Sequence, residues 1–497
     1  MGAAWRNSSE VSVLSPLLRS RSGARPLIAV CLAFAAASLV AVPTTLDLGW
    51  DEAVYVSQHG RHAPAAFMSA PRARGVTLLV WPVASWLDST VALRLFLTAT
   101  AATSLGLAFW VWSRATRRPG TAAIAAGLYA SLWTVLFYAN AAMPNHYTAM
   151  AALAAVGGFL LAAAEPARRG VYLGLVAALA VAALMRPADA FWLGLPLLGA
   201  TAAVPALRRW RLATAVVGGL ALGGVPWVVE AELRYGGLLE RIRQAGHVQG
   251  GTTLRFSLGH AISTLDGPIL CRPCDSPVRW PAVLWWLALA ALVPLGILAA
   301  RRAGAARPAW LAVAVAASMA FPYLFLIGYS APRFLLPTYA LALACAAPGL
   351  AALLSTAAGR WRRVVGAAVA VGFAGHLAIQ AGILHHVVAE QVRGRGDWTR
   401  LVETLRSHGV RPPCVISGHE AIPVAYHAGC RALEDRGFNR NATTAQLRQA
   451  AATGPFALLV KDSAPPEWAA GWQRVPVPDL TTSGWAVYLP RSPVTPD

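Results

Sequence analysis

An all-α polytopic membrane fold with a small C-terminal α/β domain is predicted by three features of this 497-residue sequence. Hydrophobic residues make up 57% of it and charged residues only 13%, whereas a soluble globular domain is roughly a quarter charged. The apolar residues gather in Ala/Leu/Val runs as long as a bilayer is thick, separated by short arginine clusters. From Asp397 onward the composition becomes that of a soluble domain.

Runs of about 17–25 apolar residues suffice to cross a bilayer as helices, and by that measure there are about eleven spans. They lie near 27–43, 90–113, 121–138, 146–164, 171–185, 188–206, 212–229, 281–300, 309–328, 334–355 and 364–386. The Ser/Arg-rich segment 1–26 ahead of them is expected to be a disordered cytoplasmic N-terminus. The transmembrane domain then occupies 27–390 and the soluble domain 391–497.

The net charge is +20, and of the 42 Lys and Arg residues all but Lys461 are arginine. The arginines recur at every second gap between spans: Arg19/Arg21/Arg25, Arg114/Arg117/Arg118, Arg168/Arg169, Arg208/Arg209/Arg211, Arg301/Arg302/Arg307 and Arg360/Arg362/Arg363. Cytoplasmic loops hold positive charge because it resists translocation and meets anionic headgroups. The pattern places the N-terminus in the cytoplasm. It also assigns the excess charge to membrane lipids rather than to nucleic acid. With an odd number of spans the tail from about 390 is extracytoplasmic, as are the loops 44–89, 139–145, 230–280 and 329–333. The arginine-rich composition suggests a GC-rich bacterial genome, hence a plasma (inner) membrane.

Two of those loops are too long to be simple connectors. The first, 44–89, ends in "GVTLLVWPVASWL", which suits an interfacial position with Trp81 and Trp86 as anchors. The second, 230–280, holds the amphipathic "LRYGGLLERIRQAGHVQGG". In the tail, helices are expected at 398–406, 420–427 and 444–452, and strands at 414–417, 456–460 and 485–489. Of the six cysteines, Cys31 and Cys345 fall inside spans, while Cys271/Cys274 and Cys414/Cys430 lie outside and are expected to pair as disulfides.

Ionisable groups at a membrane boundary are costly unless satisfied, so their clustering carries information. Asp51 and Glu52 follow the first span in "TLDLGWDEAVYV". Arg186 in "ALMRPADAF" occupies a tight outer link, and Arg333 in "GYSAPRFLLPTY" precedes the tenth span. All three places lie at the outer face of this topology. A carboxylate can deprotonate an acceptor hydroxyl or amine, and arginines bind phosphate bidentately. Together they suit transfer of a group from a phosphate-linked donor. Arg72 and Arg74 in the same loop are candidate substrate contacts. The plainer reading is a solvated turn with snorkelling arginines. His59 and His62 suit a donor phosphate or a metal, but a solvated loop fits better because no third ligand is evident.

The segments "LDLGWDEAVYV", "RPADAFWLGLP" and "SAPRFLLPTYALALA", each at its place in the span order, resemble the GT-C superfamily of polytopic glycosyltransferases. The branch is that of the protein O-mannosyltransferases and lipid A aminoarabinose transferases. The resemblance implies a membrane glycosyltransferase that takes a sugar from a polyprenyl-phosphate donor and passes it, with inversion, to a glycan, lipid or protein acceptor outside the cytoplasm. It implies Asp51 as general base with Glu52 orienting or assisting, and Arg186 and Arg333 as donor-phosphate ligands. Two departures stand out. Where relatives carry another acid this chain has "AAMPNHYTAM", so Asn145 and His146 become substrate-contact candidates and a divalent metal is left open; no other cofactor is implied. Where relatives often have Lys-Gly-Pro, Arg186-Pro187 keeps the cation and loses the glycine. The competing expectation is a transporter or flippase of a lipid-linked glycan. Spans almost free of charge argue against it, since transport sites sit near the bilayer midplane.

Overall fold

The computed structural model describes residues 15–491 apart from 252, 273, 275, 276, 305 and 357. The first part of the segment expected to be disordered, residues 1–14, lies outside the described residues; the remainder, from Ser15, already belongs to the first helix. In chain order the helices are α1 (Ser15–Ala41), α2 (Trp50–Val56), α3 (Gly75–Ala84), α4 (Thr90–Thr116), α5 (Pro119–Ala130), α6 (Trp133–Tyr138), α7 (Asn145–Ala164), α8 (Arg169–Met185) and α9 (Pro187–Ala203). They continue with α10 (Trp210–Arg234), α11 (Leu238–Val248), α12 (Leu258–Ser263), α13 (Trp280–Arg302), α14 (Ala306–Phe325), α15 (Leu336–Thr356), α16 (Gly359–Ser407), α17 (Ala421–Ala428) and α18 (Thr444–Thr453).

Among the described residues, eight helices are long and apolar enough to cross a membrane. The other expected spans are shorter. That at 121–138 is broken into α5 and α6 at Ser131-Leu132, and α8 and α9 have 17 residues each. Pro187 separates α8 from α9: it cannot donate to the preceding turn, and it holds Arg186 in the extended conformation, φ −150° and ψ 92°.

Small residues let the helices approach closely, as dispersion-driven packing in lipid requires. A Cβ at Gly223 of α10 would collide with the Ala180 carbonyl of α8, and one at Gly296 of α13 with the Cys345 carbonyl of α15. The bundle core gathers around Tyr129, Leu153, Phe159 and Tyr339. A second core runs from the first loop through Leu48, Val54 and Trp133 to Leu401, Ile416 and Val424, so the loop is packed between bundle and α/β domain. The run at 75–84 is helical, with Trp81 and Trp86 exposed at 53% and 78%.

Helix α16 differs most from the expectation. The last span and the helix at 398–406 are one helix of 49 residues, because no proline interrupts 359–407 and its glycines are tolerated singly. It carries the chain straight into a five-stranded sheet of order β2-β1-β3-β5-β4. The strands are β1 (Val415–Gly418), β2 (Arg431–Ala432), β3 (Phe456–Lys461), β4 (Gln473–Val475) and β5 (Trp485–Leu489). β1 runs parallel to β2 and β3, while β5 is antiparallel to both β3 and β4. β2 and β4, two and three residues long, give no periodicity to read. Cys271 is joined to Cys274 and Cys414 to Cys430, as the spacing suggested.

Candidate active site

Helix α2 explains why two acids stand side by side. Adjacent residues on an α-helix point about 100° apart, so neighbouring side chains serve different surroundings. Both lie in the first turn, where the helix dipole favours negative charge.

Glu52 faces the protein interior. At the third helical position its Oε2 accepts the Gly49 N–H at 2.9 Å, half of a capping box. Its Oε1 accepts the Ala142 N–H at 2.9 Å and Arg94 Nη1 at 2.5 Å, and Arg395 Nη1 lies 3.3 Å from Oε2. Burial alone would raise this carboxyl, but Arg94, Arg395 and the Gly49 N–H outweigh it and hold it at about 2. Glu52 thereby knots the first loop, α4, the 140–142 link and α16 together. Its lone pairs are all engaged, so the place expected for it as a catalytic partner is taken by a structural ion cluster.

Asp51 faces a cavity of about 1540 Å³ between the end of the bundle and the α/β domain. Oδ1 accepts Arg72 Nη2 at 2.7 Å and Oδ2 accepts Arg333 Nη2 at 3.1 Å. Burial works to raise the Asp51 carboxyl, and the guanidiniums of Arg72 and Arg333 overcome it, leaving the group below the usual carboxylate range. Arg333 sits in the turn Pro332–Leu335 and also donates to Tyr138 Oη at 3.1 Å and to the Ile269 carbonyl at 2.9 Å. Arg72 lies over the Trp50 ring, 4.9 Å from its centroid.

Arg186 lines the same cavity. Its Nε pairs with Asp189 at 2.8 Å, Nη2 donates to Tyr323 Oη at 2.6 Å, and Tyr323 donates in turn to Asp189. With Arg186 neutralised by Asp189, the group of Asp51, Arg72 and Arg333 keeps one positive charge in surplus. Such a cluster of forked donors in a partly enclosed, low-dielectric space binds an oxyanion such as phosphate.

The remaining candidates fall elsewhere. Asn145 and His146 are buried, 1% exposed each, and outside the cavity wall; His146 Nε2 is held by Ser104 Oγ at 3.1 Å and the Ala101 carbonyl at 3.0 Å. Arg74 is engaged by Glu230 and by Gln58 Oε1 at 2.8 Å, and fastens the first loop to α10. His62 meets Asp88 at 3.2 Å in an exposed pair. No group of three or more His, Cys, Asp or Glu side chains able to hold a metal occurs among the described residues. At Asp51 the donor set itself is unsuitable, since a dication there would face two guanidiniums.

Sequence reasoning missed Arg94 and Arg395. The signal for Arg94 was available: it is an arginine inside the apolar run "STVALRLFL", and a charge in a span implies a partner. Arg395 gave no such signal, because only the unbroken α16 brings it back to the first loop.

No family model matches the chain, and no curated protein matches it in sequence. Solved structures do match in fold. ArnT from Cupriavidus metallidurans bound to undecaprenyl phosphate is 14% identical with a TM-score of 0.62, over 93% of this chain and 97% of that one. The apo form of the same enzyme gives 13% identity and a TM-score of 0.61, over 95% and 98%. The apo oligosaccharyltransferase from Archaeoglobus fulgidus gives 13% identity and 0.51, over 88% and 69%. The chain shares its fold with these structures.

Proposed function

We propose that this protein is a membrane glycosyltransferase that moves a sugar from a polyprenyl-phosphate donor to an extracytoplasmic acceptor. The observation that carries the reading is the single carboxylate of Asp51, clamped between Arg72 and Arg333 in a cavity at the end of the bundle. The undecaprenyl phosphate in the ArnT structure supports a carrier of that kind. The cavity lies between the bundle and the soluble domain, which on the positive-inside topology covers it from outside the cytoplasm.

In the resting site Asp51 is a poor base because two guanidiniums stabilise its charged form. A donor phosphate competes for those guanidiniums. As Arg72 and Arg333 turn to the phosphate, Asp51 loses its counter-charges and gains basicity. The acceptor oxygen then attacks the anomeric carbon while its proton passes to Asp51. The bond from that carbon to the phosphate oxygen breaks, and the electron pair stays on the carrier phosphate under the arginines. A single displacement inverts the anomeric centre. Arg186 stands ready as a further phosphate contact, and Glu52 acts as a positioning residue that fixes the turn carrying Asp51.

The purified protein, incubated with radiolabelled polyprenyl-phosphate sugars, should release the free carrier from at least one of them, and Asp51→Asn should abolish that release while the protein stays folded. Undiminished turnover by Asp51→Asn would remove Asp51 from the mechanism.

A further inference from the structure

The same cavity has a second wall that the phosphate site does not use. It is made by the α/β domain. In the sheet order β2-β1-β3, the chain leaves β1 for β2 on one side and returns to β3 on the other. The carboxyl ends of β1 and β3 therefore flank a topological switch point, the place where open α/β sheets leave a crevice for ligands. Gly418 ends β1 and His419 and Glu420 follow it, Lys461 ends β3, and Glu434 follows β2; all of them line the cavity. Gly418 has φ +96°, and a Cβ there would strike the Leu459 carbonyl, so the turn that presents Glu420 requires glycine.

Three polar atoms on this wall are buried without a hydrogen-bond partner: Glu420 Oε2, Asn439 Nδ2 and Trp468 Nε1. Asn439 is only 4% exposed, and its Oδ1 accepts Arg72 Nη1 at 3.4 Å. Arg72 therefore spans from the Asp51 carboxylate to Asn439, and the crevice begins one guanidinium away from the proposed base. Glu434 lies close enough to Glu420 that burial and the neighbouring carboxylate together push it up to about 7. Unpaired buried polar groups cost free energy, and a ligand that satisfies them recovers it.

The set defines the ligand's chemistry. Lys461, Arg436 and Arg448 offset the carboxylates of Glu420, Glu434 and Asp435 on this wall, so neither an anion nor a cation is selected by charge. A cation would also leave the Asn439 and Trp468 donors unpaired. A hydroxyl donates and accepts at once, and two rings stand beside these groups for a sugar to pack on: Phe438, with the Arg272 guanidinium over one face, and the half-buried Trp485, met by Lys461 and His419.

We infer that this crevice is the subsite for a neutral, hydroxyl-rich acceptor glycan, held by Glu420, Glu434 and Asn439 next to Asp51. The inference rests on the transfer reading for its direction, donor from the bundle side and acceptor from the domain side.

The test uses the full chain in lipid nanodiscs and neutral linear trisaccharides of mannose, arabinose, glucose and galactose, with binding followed by saturation-transfer NMR. At least one trisaccharide should bind saturably, and Glu420→Gln and Asn439→Ala should each weaken it about tenfold, the loss of a single good hydrogen bond. On the wild-type protein, a diazirine form of the bound trisaccharide should cross-link within 417–420 or 434–439, a readout that does not depend on how well a variant folds. Failure of all four sugars to bind, unchanged affinity in both variants, or cross-links confined to the bundle would overturn the subsite. Carrier release is scored separately. Release without glycan binding sinks the subsite alone, whereas glycan binding without release from any donor sinks the transfer reading.

Discussion

The two walls of the cavity differ in how their charge is arranged. The bundle side presents Arg72, Arg186 and Arg333 around Asp51, and the domain side mixes the acids Glu420, Glu434, Asp435 and Glu467 with Arg436, Arg448 and Lys461 around a few aromatic rings. Had both walls been basic, an anionic donor would bind to either and the acceptor would have no place of its own. On the proposed function the difference sorts the substrates: the donor phosphate takes the arginines around Asp51, and a hydroxyl-bearing partner meets it from the mixed wall at the seam. Arg72 occupies that seam, touching Asp51 with one nitrogen and Asn439 with the other.

The largest effect is expected at the basic wall. Asp51→Asn keeps the shape but removes the proposed proton acceptor, and should lower kcat by roughly 10²–10⁴-fold, the usual worth of a general base, with donor affinity retained or improved. Loss of donor binding instead would assign Asp51 to positioning.

Arg94→Ala comes next, and it acts through stability. It strips the buried Glu52 of its nearest cation, and breaking such a pair costs about 3–5 kcal/mol. Thermal unfolding of the purified variant should show the drop. The same cluster makes the fold acid-sensitive in a defined direction: Glu52 is depressed from 4.5 to about 2, so its contribution is present above pH 4.5 and is lost as pH falls towards 2.

Arg72→Gln sharpens the comparison at the seam. It should raise the donor KM about tenfold, as expected for one charge-assisted phosphate contact. It also removes a counter-charge from Asp51, so the acid limb of kcat/KM should move to higher pH. An unmoved limb with a raised KM would leave Arg72 as a phosphate ligand with no hold on the base.

Glu434→Gln probes the domain wall and should have the smallest effect on stability. The group is raised from 4.5 to about 7, so its contribution is complete below pH 4.5 and is lost as pH rises through 7. The variant should flatten that decline in melting temperature and leave the acid side unchanged.

Much of this was legible in the sequence because charge in an apolar chain is conspicuous. Asp51, Arg186 and Arg333 stand at span ends, and the structure brings all three to one cavity. The tail strands at β1, β3 and β5 were visible from their β-branched and aromatic runs. What stayed hidden depends on long-range geometry. Glu52 looks like the twin of Asp51, and only the helical offset turns it towards Arg94 and Arg395. His146 follows the spacing of a site residue, yet α7 buries it against Ser104. Nothing in the sequence marks Glu420 and Glu434; only the strand order places them beside one switch point, on the cavity that the arginines also line.

The claim beneath all of this is that a donor phosphate displaces Asp51 from its arginines. A structure of the protein with undecaprenyl phosphate tests it directly. Phosphate oxygens are expected within hydrogen-bond distance of Arg72 and Arg333, with the Asp51 carboxylate released to the cavity. Phosphate bound elsewhere, with both Asp51 ion pairs intact, would contradict it.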